Sequence, residues 1–113
     1  MRTLLLLSAF LLLNFFTFAQ QWYKGNLHAH SYWSDGDDFP EMIMDWYKSQ
    51  DYHFISLSDH NILAQGEKWK LIPKFYVHQK GFEKYLDKFG EDWVVYEKDE
   101  DDRIRVKLKA LKE

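Results

Sequence analysis

The sequence predicts an α/β fold that opens with a strand, helix, strand unit, and three observations carry that prediction. Polar and apolar residues alternate through Asn26-Leu27-His28-Ala29-His30, a helix start signal follows at Asp38-Phe39-Pro40-Glu41, and a short apolar run, Phe54-Ile55-Ser56-Leu57, closes the unit. A βαβ unit of about 35 residues requires parallel strands and a right-handed crossover, so both strands end on the same edge of the sheet. Chemistry commonly sits at such an edge.

In the first strand, alternation puts His28 and His30 on one side, with Leu27 and Ala29 facing the other way into packing. Two imidazoles so placed, roughly 7 Å apart along the backbone, can grip one ion. Asp35 lies in Ser34-Asp35-Gly36-Asp37, a turn-forming stretch in which Gly36 lets the carboxylate fold back toward the strand end. The second strand gives way to Ser58-Asp59-His60-Asn61, which brings a further imidazole to the same edge. Imidazole and carboxylate suit zinc, manganese, iron, nickel or cobalt, and the chain has no cysteine for a thiolate site. Zinc or manganese fits best. Trp33 either lines a substrate pocket or packs over the turn.

These residues resemble the PHP domain, named for polymerase and histidinol phosphatase. Its first motif is similar to Asn26-Leu27-His28-Ala29-His30-Ser31-Tyr32-Trp33-Ser34-Asp35-Gly36 and its second to Leu57-Ser58-Asp59-His60-Asn61. The likeness runs from about Gly25 to Asn61, and Gly66-Glu67-Lys68-Trp69 resembles a subgroup of exported members. The resemblance implies a cluster of two or three divalent ions (Zn, Mn or Fe). It gives His28 and His30 to one ion, Asp35 and His60 to another, and to Asp59 the orientation of a neighbouring ligand. It implies the first βαβ portion of a distorted (β/α)7 barrel, and a phosphoesterase that hydrolyses phosphate mono- or diesters of a small phosphorylated substrate with metal-activated water. The same motifs suit two other classes: a non-catalytic exported metal- or ligand-binding module, and a metallohydrolase acting on C–N or C–O bonds.

Barrels of the β/α type need on the order of 200 residues or more, and this chain has 113. The family's bridging glutamate and C-terminal Asp-x-His find no counterpart. Glu83 falls in an amphipathic helical pattern and Glu91 just after it, which suits a solvated role for both. Residues 20–113 therefore read as the N-terminal part of a longer PHP domain, inactive as an isolated fragment.

Residues 1–19 read as a signal peptide. Arg2 supplies the positive start, Leu4 to Phe18 an apolar run, and Thr17-Phe18-Ala19 a cleavage site, so the protein is expected to be periplasmic or secreted. The run of 15 residues is shorter than the roughly 20 that span a bilayer, which argues against a stable membrane anchor. Without cysteine there is neither a lipid-anchoring thiol nor a disulfide. Arg2 is the only charge in residues 1–19, so removing them takes the formal net charge from -3 to -4. No nucleic-acid footprint is expected of so acidic a body.

The remaining elements follow from periodicity. Asp38 is the expected cap of a helix running to about Gln50, with Ile43, Trp46, Tyr47 and Met42 buried and Asp45, Lys48 and Gln50 in water. Phe82, Tyr85, Leu86 and Phe89 predict an added helix ended by Gly90. Trp93 to Glu97 and Arg103 to Leu108 predict a hairpin whose loop is the acidic run Asp99-Glu100-Asp101-Asp102, read as a solvated turn. His53 is expected to pack or to face solvent. His78 can reach the site only as a loop after Pro73 and carries no recognised motif.

Overall fold

The computed structural model describes residues 20–112 and shows a mixed α/β chain with two small sheets and two helices. The predicted signal peptide and its cleavage site lie outside the described residues. Strand β1 (Gly25–Ala29) pairs in parallel with β2 (Phe54–Leu57), and helix α1 (Pro40–Ser49) connects them. Strands β3 (Trp69–Leu71), β4 (Tyr96–Lys98) and β5 (Ile104–Lys107) form an antiparallel sheet in the order β3-β5-β4, and helix α2 (Tyr76–Phe89) joins β3 to β4.

The β1–β2 register runs Gly25↔Phe54 and Asn26↔Ile55, then Ala29↔Leu57, so β1 carries one extra residue between Asn26 and Ala29. A bulge of this kind breaks strict alternation and re-aims side chains. Leu27, expected to pack, is instead 76% exposed, and Ala29 is half-buried. At the start of the strand, Gly25 lies under the ring of Phe54, where a Cβ would collide with it.

Helix α1 has Phe39 at its N-cap and no side-chain cap: the Asp38 carboxylate accepts the Phe39 N–H at 2.8 Å, two residues before the first N–H a cap would serve. Pro40 supplies the preset φ of the first turn. Ile43, Tyr47 and Met42 are half-buried, but Trp46 is 54% exposed, its ring edge-on to Tyr47 with Tyr52 beyond it. The predicted stripe is therefore partly open. It borders a groove of about 910 Å³ whose walls include Met44, Tyr47, Ile55, Leu57, Leu63 and Trp93.

The core is drawn from the turn after β1, the start of α1, helix α2 and the antiparallel sheet. Tyr32, Trp33, Phe39, Ile72, Phe82, Tyr85, Val94, Val106 and Leu108 are buried together, so the turn after β1 is packed against α2 and the antiparallel sheet. Phe39 stacks on Tyr85 at 4.0 Å between centroids, and Tyr85 Oη donates to Glu41 Oε1 at 3.1 Å while accepting Trp93 Nε1–H at 3.2 Å. Helix α2 ends at Gly90, whose φ of 77° is the left-handed geometry that favours glycine. The predicted hairpin is present, with its first strand shortened to begin at Tyr96, and β3 joins it on the far side of β5. Its loop is tied by Asp99, which accepts the Asp101 and Arg103 backbone N–H groups and pairs with Arg103 Nε at 2.7 Å. Among the described residues no helix is long and apolar enough to cross a membrane.

Candidate metal centre

Parallel pairing brings the ends of β1 and β2 together, since Ser58 N–H donates to the Ala29 carbonyl at 2.8 Å and continues the ladder past Leu57. The residues just beyond, His30 and His60, are thereby neighbours, with ring centroids 4.2 Å apart. The His28 ring lies 4.5 Å from that of His30 and 6.4 Å from that of His60.

Asp35 returns to the strand end because the 31–36 segment is a tight turn. The Ser31 carbonyl accepts N–H groups from Ser34 at 2.9 Å and from Gly36 at 3.0 Å. A Cβ on Gly36 would strike the His30 carbonyl and the Ser31 nitrogen, so the turn needs glycine for close approach of backbone to backbone. Held this way, Asp35 Oδ1 lies 2.9 Å from His30 Nδ1 and Oδ2 lies 3.7 Å from His60 Nε2. His30, Asp35 and His60 each bring a ligand atom within 4.8 Å of the others, a spacing that can hold a metal ion. Two atoms bound at about 2.1 Å to one tetrahedral ion stand about 3.4 Å apart, close to the separation of Asp35 Oδ2 and His60 Nε2.

The donor set fits a divalent ion on a further observation. His30 Nε2 is buried and has no hydrogen-bond partner among the described residues, and such an atom is costly unless something occupies it. With Nδ1 taken by Asp35, the open nitrogen is the one left for a ligand to fill. His28 is held similarly, its Nδ1 lying 2.6 Å from Ser58 Oγ.

Asp59 is not aimed at the imidazoles. Its Oδ1 accepts Ser31 N–H and the Ser34 hydroxyl, each at 2.7 Å, and its Oδ2 accepts the Ser31 hydroxyl at 2.8 Å. Partial burial pushes this carboxyl upward, but the serine hydrogen bonds outweigh it and leave Asp59 below the usual carboxylate range. For Asp35 desolvation likewise pushes upward and is outweighed, here by the Ser34 hydroxyl, a backbone hydrogen bond and the His30 and His60 imidazoles. Asp59 thus locks the turn that carries Asp35 to the end of β2 that carries His60.

Trp33 is buried, its indole N–H donating to the Lys109 carbonyl at 3.1 Å, so it packs beneath the turn while contributing to the groove wall. His53 pairs with backbone at the β1 entrance, accepting Lys24 N–H on Nδ1 at 2.9 Å. His78 sits in the first turn of α2 rather than in a loop, 2.9 Å from Tyr32 Oη, and is not part of the cluster. Glu83 and Glu91 are exposed, Glu83 pairing with Lys80. Sequence reasoning gave no role to Ser31, Ser34 and Ser58, although all three sit inside the two motifs beside a ligand.

No family model, curated protein or solved structure matches the chain.

Proposed function

We propose that this chain supplies His28, His30, Asp35 and His60 to a divalent-metal centre of the PHP type, used to hydrolyse phosphate mono- or diesters. The convergence of His30, Asp35 and His60 from three separate stretches of sequence carries the proposal. His28 and His30 hold one ion, and Asp35 and His60 contribute to a second. When bound, zinc, manganese or iron lowers the pKa of a coordinated water and offsets charge on the phosphoryl oxygens. The side chains act as holders. Asp35 orients His30 through Oδ1 while offering Oδ2 beside His60, and Asp59 keeps the turn seated. The apolar segment 4–18 supports export, and the substrate is small and phosphorylated.

The test is hydrolysis of bis(p-nitrophenyl) phosphate by the complete protein supplied with manganese or zinc, beside its His28→Ala variant. Turnover that this substitution removes is the expected result. Metal uptake without turnover would indicate a binding module instead, and turnover of an amide or lactone alone would indicate C–N or C–O chemistry.

A further inference from the structure

Ser58 follows directly on β2, the strand paired with that of His28, and its hydroxyl lies 2.6 Å from His28 Nδ1. The two residues are 30 positions apart in sequence and meet only because β1 and β2 pair in parallel. The hydrogen bond made by one imidazole nitrogen sets whether the other carries a proton or a lone pair. A hydroxyl can either accept from Nδ1–H or donate to a bare Nδ1. Only the first leaves Nε2 able to bind a cation.

Ser34 Oγ lies within reach of both Asp59 and Asp35, and Ser31 Oγ donates to Asp59, so the serines on the other side of the site have carboxylates to accept their protons. The Ser58 hydroxyl is partly exposed, so solvent can take its proton while its oxygen faces His28 Nδ1. His30 provides the parallel case: a carboxylate takes its Nδ1 at 2.9 Å, and its Nε2 is buried without a hydrogen-bond partner among the described residues. Both imidazoles of the His-x-His pair are therefore gripped at Nδ1 from neighbouring elements, one by Asp35 and the other by Ser58.

We infer that Ser58 is a positioning residue: by accepting Nδ1–H of His28 it fixes the tautomer that presents Nε2 to a divalent ion, as Asp35 does for His30. The inference rests on the metal-centre reading above. Partners of this kind typically carry about 10- to 100-fold in metal affinity.

Two measurements test it. Long-range 15N–1H correlation spectra of the metal-free protein should show His28 as the Nδ1–H tautomer, and His28 found as Nε2–H would overturn the inference without any variant. Titration with Zn2+ should show Ser58→Ala binding about 10-fold or more weaker than wild type, while Ser58→Thr, which keeps the hydroxyl, binds within about twofold. A Ser58→Ala protein that folds and binds Zn2+ as tightly as wild type overturns the role of Ser58 and leaves the metal centre standing. A wild-type protein that binds no Zn2+ overturns both.

Discussion

His30 concentrates the constraints of the site, since it touches Asp35 through one nitrogen and leaves the other buried without a hydrogen-bond partner among the described residues. Replacing it by alanine removes a ligand rather than a ligand's support, so His30→Ala should weaken divalent-metal binding by more than about 100-fold, the upper range for losing a supporting partner. Equilibrium dialysis with Zn2+ measures this directly. Gly36 is as exacting for a different reason: the atoms a Cβ would strike are backbone, which cannot swing aside. Gly36→Ala should cost about 1–3 kcal/mol of stability by overpacking, read from urea denaturation, and loosen Asp35 from His30. The grouping of His30, Asp35 and His60 was legible because residue type and spacing state it. Their orienting partners were not, since whether a serine beside a ligand faces it depends on strand register, and the extra residue in β1 that exposes Leu27 is a property of the pair β1–β2.

At the scale of elements, the turn after β1 and the end of β2 are joined through Asp59 and its three hydrogen bonds from Ser31 and Ser34. Because folding lowers the Asp59 carboxyl below its unfolded value of about 3.9, its contribution is fully present above that pH and is lost as pH falls through the lower folded value. Melting temperature measured from pH 6 down to 2 should therefore fall less steeply in Asp59→Asn than in wild type, from a lower starting point. Helix α2 is tied to α1 by Tyr85, which accepts from Trp93 and donates to Glu41. Glu41 Oε2 has no hydrogen-bond partner among the described residues. Tyr85→Phe would strand Glu41 Oε1 as well, and should cost about 1–3 kcal/mol, read from thermal unfolding followed by circular dichroism. Helix α2 was legible from the spacing of Phe82, Tyr85, Leu86 and Phe89 with Gly90 behind them. Strand β3 was not, because three residues, Trp69-Lys70-Leu71, are too few to show a period, and their pairing with β5 is a long-range event.

Across the whole molecule, the turn that carries Asp35 is anchored on one side by the buried Tyr32 and Trp33 and on the other by the β1–β2 pair. The α/β class and the parallel unit could be read in advance because helix and strand periods differ. The location of the core could not: Trp46 looked as apolar as Trp33, yet Trp46 is half-exposed on α1 and Trp33 is buried under the turn. An ion bound to the folded site stabilises the whole chain through mass action, by about 2.7 kcal/mol at a hundredfold excess over Kd. Since the proposed ligands come from β1, the turn and the end of β2, that stabilisation requires all three stretches to be in place at once. The most direct measurement is calorimetric titration of metal-stripped protein with Zn2+ or Mn2+, run beside a variant carrying His30→Ala, Asp35→Ala and His60→Ala. Saturable uptake of at least one ion per chain by the wild type, absent from the variant, is the predicted result; no saturable uptake, or equal uptake by the variant, would contradict it.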